Sequence, residues 1–217
     1  MADLLWPPWC ACCGELGEEP FCAACAQTLL PAPLGCPLCG VPADEALLPA
    51  LRPRRCTACR AHAPPYQRAR APYLHGGALA DAIHRLKYEG CFELSRPLGV
   101  LFAACEPPSA DVVAPLPLHA GRLRERGYDQ AHLLAAAAAR RFGLPLAPLL
   151  VRVRPTRPQV GLDRRRRAQN VAGAFRARGR ATGLRVCLVD DVLTTGATAA
   201  EGAAALLGAG AISVEVR

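Results

Sequence analysis

Apolar positions along the chain fall into two regimes. Beyond residue 65 they recur in short blocks that alternate between helical and extended spacing. The segment 77–88 (GALADAIHRLKY) carries Leu79, Ile83 and Leu86 near i, i+4, i+7 and predicts a helix. Residues 111–115 (DVVAP) form a short apolar run and predict a strand. Residues 129–142 (DQAHLLAAAAARRF) predict a second helix, rich in Ala, with Asp129 as N-cap and Gly143 as stop. Residues 149–153 and 185–189 (RVCLV) predict strands. Residues 197–207 (ATAAEGAAALL) predict a helix interrupted by Gly202 and ended near Gly208, and 212–216 predicts a last strand. Strands alternating with helices argue for an α/β domain on a parallel sheet.

Residues 1–60 show little such periodicity and are rich in Cys, Pro and Gly. A Pro-containing connector, Ala61-His62-Ala63-Pro64-Pro65, separates the two regions. The expected division is therefore 1–60 and 61–217. Nine of the twelve cysteines lie before residue 60. Eight of them form four C-x-x-C units: Cys10/Cys13, Cys22/Cys25, Cys36/Cys39 and Cys56/Cys59. Two units are followed by Gly (CACCG and CPLCG), which relieves a tight turn while two thiolates converge on one metal. Two such turns make a tetrahedral Cys₄ site, closed to water and structural. Disulfides are the competing reading, and they need an oxidising compartment for which the N-terminus MADLLWPPWCACC offers no secretory signal. We expect Zn²⁺ in one or two sites. Sequential pairing (Cys10, Cys13, Cys22, Cys25; then Cys36, Cys39, Cys56, Cys59) needs the fewest crossings, but spacing leaves an interleaved arrangement open. Cys91, Cys105 and Cys187 sit among apolar neighbours and read as core.

The richest chemistry lies in Val186-Cys187-Leu188-Val189-Asp190-Asp191-Val192-Leu193-Thr194-Thr195-Gly196-Ala197-Thr198. An apolar strand runs into two adjacent carboxylates, then into a Thr/Gly loop that opens a helix. Open α/β sheets bind ligands at strand C-terminal ends. The loop can aim N–H groups and hydroxyls at a phosphate, helped by the helix N-terminus. Two carboxylates beside that cradle suit the vicinal hydroxyls of a ribose, directly or beside Mg²⁺. The bland alternative is an ordinary strand-to-helix turn with solvated aspartates.

Composition bounds these readings. Of 217 residues, 52% are hydrophobic and 20% charged, which suits a packed core and argues against global disorder. Only 5% are aromatic, so Ala, Leu and Val must fill that core. No run of about 18 uncharged apolar residues exists, so no spanning helix is expected and the location expected is cytoplasmic. The formal charge is +8, and Lys87 is the sole lysine among 26 basic residues. Two Zn²⁺ on eight thiolates would bring the balance to about +4. Such a balance permits phosphate or nucleic-acid partners without demanding them.

The acidic stretch resembles the phosphoribosyl pyrophosphate (PRPP) motif of type I phosphoribosyltransferases. Residues 66–217 are similar to the ComF (competence protein F, GntX-like) family, on Ala114-Pro115-Leu116-Pro117, Arg126-Gly127-Tyr128-Asp129-Gln130-Ala131, Arg167-Ala168-Gln169-Asn170-Val171 and Ala174-Phe175. The cysteine pairs look like the double zinc ribbon that precedes this domain in many members. Asp129 departs from the family pattern, which more often has Asn; both residues cap helices. The resemblance implies a type I phosphoribosyltransferase-like parallel sheet flanked by helices behind a small zinc ribbon domain.

It also implies roles. Asp190 and Asp191 would hold the ribose hydroxyls of PRPP, and Thr194, Thr195, Gly196, Ala197 and Thr198 would cradle its 5-phosphate. The turn from Leu116 to His119 would be the pyrophosphate loop, with Arg122 and Arg126 neutralising the leaving group. Residues 155–170 would be a mobile loop closing over the site, with Arg167 and Asn170 on the family pattern. The run Arg164–Arg167 also reads as a solvated loop or as a contact to nucleic-acid phosphates. Lys87-Tyr88 resembles a family feature too, and His119 is the histidine nearest the proposed loop. The implied activity is Mg²⁺-dependent phosphoribosyl transfer with pyrophosphate release, linked to DNA uptake. The alternative is a non-catalytic adaptor that binds PRPP, a nucleotide or single-stranded DNA beside a helicase-like competence partner. In the ribbon only Arg52, Arg54, Arg55 and Arg60, with Trp6, Trp9 and Phe21, offer nucleic-acid chemistry.

Overall fold

The computed structural model describes residues 9–17, 20–42, 54–156 and 163–217. Trp6, Arg52 and the first half of the proposed closing loop (157–162) lie outside the described residues. The secondary structure runs α1 (Ala23–Gln27), α2 (Thr57–Ala61), β1 (Arg68–Ala69), α3 (Gly77–Tyr88), α4 (Ser95–Val100), β2 (Val112–Pro115), α5 (Ala120–Arg126), α6 (Gln130–Phe142), β3 (Leu150–Arg152), α7 (Arg164–Val171), β4 (Phe175–Ala177), β5 (Arg185–Val189), α8 (Ala197–Gly208) and β6 (Ser213–Val216). Strands β1, β6, β5 and β2 pair in that order, all parallel. Strands β3 and β4 form a separate antiparallel hairpin.

Side-chain alternation sorts the central strands onto two faces. Val113, Cys187 and Val189 enter one core with Leu79, Ile83 and Leu86 of α3, Leu98 of α4 and Leu134 of α6. Val112, Ala114, Val186, Leu188, Val214 and Val216 enter the other, with Ala199, Ala203 and Leu206 of α8 and Leu150 of the hairpin. β5 is therefore buried on both sides, which is why its sequence is continuously apolar rather than alternating.

Gly202, expected as an interruption in α8, marks a close approach. A Cβ there would lie 2.5 Å from Leu116 Cδ1 and 3.3 Å from Leu188 Cδ2. Gly99 serves the same purpose between α4 and α6, where a Cβ would meet that of Ala137 at 2.4 Å. Edge strand β1 is joined to its neighbour β6 by charge. Buried Glu215 accepts from Arg68 Nε and Arg217 Nη2, each at 2.9 Å. Burial opposes the ionisation of Glu215, but Arg68 and Arg217 outweigh it and hold its pKa below the usual range.

The Cys-rich region repeats one turn twice. Gly14 N–H donates to Cys10 O and Gly40 N–H to Cys36 O, both at 2.9 Å, with both glycines at positive φ (76° and 70°). The region is bonded to the α/β part. Ala69 N–H donates to Leu38 O, Ala32 N–H to Pro72 O and Leu74 N–H to Leu30 O. Cys10, Ala11 and Cys12 are buried in the same core as α3. Among the described residues no helix is long and apolar enough to cross a membrane.

Candidate functional site

The C-terminal ends of β2 and β5 open into a cleft of about 860 Å³. β5 delivers Asp190 and Asp191 to its floor, and the cleft wall continues through Thr194, Gly196, Ala197 and Thr198 to the start of α8. Gly196 is the N-cap of α8 in the left-handed region (φ 74°), and a Cβ there would meet Tyr66 Oη at 2.6 Å. Both conditions exclude a side chain, and they bring the backbone at the start of α8 to the cleft wall.

Asp190 and Asp191 are adjacent but differently placed. Asp191 is tied on both oxygens, Oδ1 to Lys87 Nζ and Oδ2 to Gln130 Nε2, each at 2.7 Å. Its side chain is 7% exposed, so that ion pair is largely shielded from water. Asp190 is held by its backbone, which donates to Arg217 O, and its Oδ1 accepts from Asp191 N–H at 2.9 Å. Burial, then the charge of Asp191, push the Asp190 carboxyl up to about 7, against the pull of Lys87 and Arg152.

Cations face this acidic floor. Arg126 donates to Gln130 Oε1, which extends the Lys87–Asp191–Gln130 network, and its guanidinium lies 5.1 Å from the centroid of Tyr88. Arg122 donates to Thr156 O at 3.0 Å and Arg167 to Thr194 Oγ1 at 2.8 Å. Arg152 reaches in from β3, packed over Phe175 and bonded to Thr156. Its Nε is buried without a hydrogen-bond partner. Burial and the neighbouring Arg122 depress its pKa while Asp190 supports it. A shielded guanidinium among like charges, with an N–H to spare, is suited to an anion.

Most of the expected residues meet in one cleft: Asp190, Asp191, Thr194, Gly196, Ala197, Thr198, Leu116, Arg122, Arg126 and Arg167 all line it. His119 is used differently. It is the N-cap of α5, its Nδ1 accepting from Gly121 N–H at 3.2 Å. Thr195 turns its hydroxyl to Ala197 N–H at 3.4 Å. The latter half of the proposed closing loop is helical as α7, because Asp163 caps it by accepting from Arg166 N–H at 2.8 Å. Sequence reasoning did not single out Gln130 or Arg152. Gln130 stood within the family segment 126–131 with no role given to it, and Arg152 was visible only as a charge inside an apolar run.

The four C-x-x-C units group sequentially. Cys10, Cys13, Cys22 and Cys25 form one cluster and Cys36, Cys39, Cys56 and Cys59 the other, with ligand atoms within 4.8 Å of one another. The Cys13–Cys22 and Cys39–Cys56 sulfurs are 3.7 Å apart. A tetrahedron with Zn–S bonds of about 2.3 Å has edges of about 3.8 Å, so the donor sets fit zinc. Electrostatics agree. Burial resists charge on Cys36, yet backbone N–H groups bring its thiol to about 6, while crowding and burial raise Cys59 in the same cluster. Four thiols at this spacing cannot all ionise without a cation between them.

No family model matches the chain. It is 34% identical to the DNA utilization protein YhgH of Salmonella typhi over 205 residues, covering 90% of this chain and 88% of that protein. It is 31% identical to the protein of the same name in Escherichia coli K12, over 93% of this chain and 90% of the relative. Competence protein F of Haemophilus influenzae is 34% identical over 132 residues, 55% of this chain and 58% of that one. Among solved structures, a glutamine PRPP amidotransferase from B. subtilis complexed with ADP and GMP aligns at 28% identity and a TM-score of 0.40, covering 56% of this chain and 25% of that one. By its similarity to the DNA utilization proteins over nearly its full length, and by its match to competence protein F, the chain belongs to the ComF family.

Proposed function

We propose that the cleft binds PRPP and transfers its phosphoribosyl group with release of pyrophosphate. One observation carries this reading: two adjacent carboxylates at the end of β5 stand beside the N-terminus of α8 and share one cleft with Arg122, Arg126, Arg152 and Arg167. That arrangement offers separate places for a diol, a monophosphate and a diphosphate.

In this reading Asp190 accepts hydrogen bonds from the ribose hydroxyls, and Asp191 joins it as Lys87 shifts toward the diphosphate. Thr194 to Thr198 and the first amides of α8 receive the 5-phosphate. The arginines lower the cost of charge that develops on the leaving diphosphate. The C1–oxygen bond breaks with its electron pair going to pyrophosphate. A nitrogen lone pair of the acceptor forms the new bond, and its proton leaves on the pyrophosphate. Asp190 presents an untied carboxylate oxygen that fits Mg²⁺, and a bound Mg²⁺ would supply charge neutralisation to the diphosphate. The two Cys₄ clusters would hold structural Zn²⁺, making residues 1–60 a double zinc ribbon. The names of the relatives support a link to DNA use or competence, where single-stranded DNA and a helicase-like partner are the expected neighbours.

The test is calorimetry of PRPP with Mg²⁺, run beside a pyrophosphate-release assay. Wild type binds, and the Asp190→Asn/Asp191→Asn double variant does not. Binding without release from any acceptor supports a PRPP-binding adaptor instead, and no binding removes the transferase and the PRPP-binding adaptor together.

A further inference from the structure

One side chain spans the gap between the acidic floor of the cleft and its arginines. Gln130 is the first residue of α6 and is 5% exposed. Its Nε2 donates to Asp191 Oδ2 at 2.7 Å, and its Oε1 accepts from Arg126 Nη1. An amide has a fixed polarity, acceptor on one atom and donors on the other, so only this orientation satisfies both neighbours. Both bonds are charge-assisted, and each polarises the amide in the sense that strengthens the other. The backbone holds the bridge at both feet. Arg126 is the last residue of α5, which Gly127 ends in the left-handed region at φ 83°. Asp129, the N-cap of α6, accepts from Ala131 and His132 N–H through Oδ1 and from Leu118 N–H through Oδ2. The start of α6 is therefore pinned to the turn from Leu116 to His119.

The Arg126 guanidinium meets the neutral oxygen of Gln130 and the face of Tyr88, and among the described residues it forms no ion pair. An anion is the partner it lacks. An anion there either draws the guanidinium off Gln130 or shares its charge, and both weaken the hold of the amide on Asp191. Asp191 Oδ2 then has room for a new donor. We propose that Gln130 is a positioning residue that couples the two halves of the cleft: a diphosphate on Arg126 releases Asp191 to a vicinal diol, so the two groups bind with positive cooperativity. The identity of those groups rests on the phosphoribosyl reading above; the bridge itself does not. Such coupling is reciprocal, so a diol on Asp191 tightens the diphosphate by the same factor. A ligand with only one of the two groups forgoes that factor, so the cleft favours the intact sugar diphosphate over either fragment. Once transfer has parted the groups, departure of one loosens the other.

The experiment titrates the zinc-loaded full chain by calorimetry at fixed Mg²⁺. The ligands are inorganic pyrophosphate and ribose 5-phosphate, each alone and with the other near saturation. In wild type each tightens the other by about fivefold or more. 2-Deoxyribose 5-phosphate, which lacks one of the two hydroxyls, tightens pyrophosphate by less than about twofold. Gln130→Met keeps the length of the side chain and removes both hydrogen bonds. It brings the coupling below about twofold while pyrophosphate alone stays within about threefold of wild type. A purely structural role for Gln130 would weaken both ligands and leave their coupling intact. The proposal is overturned by that result, by coupling that persists with the deoxy sugar, or by pyrophosphate and ribose 5-phosphate binding wild type independently or not at all. PRPP is followed alongside in binding and release. Turnover of PRPP without coupling removes the relay and keeps the phosphoribosyl reading, whereas coupling with no binding of PRPP does the reverse.

Discussion

Asp190 is the group whose environment makes the sharpest demand on experiment. Its carboxyl rises to about 7 from a reference of 3.8, first through burial and then through the charge of Asp191. A carboxyl raised in the folded state binds its proton more tightly there than in the unfolded chain. Its favourable contribution is complete below the unfolded pKa and is lost as pH climbs through the folded one. Each unit of displacement is about 1.4 kcal/mol, so ionised Asp190 costs the fold on the order of 4 kcal/mol above neutrality. Asp190→Asn removes the titration and keeps the shape. Denaturant unfolding of the two zinc-loaded proteins at a series of pH values isolates the effect, because titration of the Cys₄ clusters is common to both. The stability advantage of Asp190→Asn grows by about 2 kcal/mol from about pH 5.5 to about pH 8.5, most of it before about pH 7. A difference that stays flat across that range, or that favours wild type at high pH, refutes the placement of this carboxylate beside Asp191 in a shielded site.

Other expectations follow from single contacts. Gly99→Ala sets a new methyl 2.4 Å from Ala137 Cβ, which cannot rotate away, so unfolding free energy falls by about 1–3 kcal/mol despite better helix propensity. Gly202→Ala meets the movable ends of Leu116, Leu150 and Leu188 and is near neutral, within about 1 kcal/mol, in the same assay. Gly196→Ala combines a positive φ with a 2.6 Å clash on Tyr66 Oη and weakens PRPP in calorimetry by about tenfold or more. Metal analysis returns about two zinc ions per chain, and Cys36→Ser with Cys39→Ser removes about one of them while Cys105→Ser removes none.

What could be read from the sequence was what one segment decides alone. α3 spans Gly77–Tyr88 and β5 spans Arg185–Val189, the same limits that periodicity gave, and α6 begins after its Asp129 cap and ends at Gly143. The acidic loop was legible because strand, carboxylates, Thr/Gly turn and helix are consecutive. What stayed hidden depends on partners distant in sequence. β1 is only two residues and exists because Arg68 and Ala69 pair with Glu215 and Val216. α4 contains Pro97 and Gly99, a poor local signal for a helix, and packing on α6 overrides it. Asp191 meets Lys87 across 104 positions and Gln130 across 61, so no local pattern could show that one of two adjacent aspartates is tied and the other is not.

That asymmetry decides how the site works. Were both carboxylates equally open, each would be solvated and the pair would be a weak, exposed acidic patch. Instead α3 and α6 each send one side chain to Asp191, and both helices are fixed by the core beneath β5. Asp191 is thereby held in place, and its charge, acting at short range through a shielded medium, is part of what raises Asp190. A diol that donates hydrogen bonds to Asp190 favours the ionised form, so binding draws the proton away and is tighter at higher pH. The same rise in pH destabilises the unliganded fold. Ligand affinity and stability thus run in opposite directions with pH, and both come from one lysine and one glutamine holding the neighbouring acid in place.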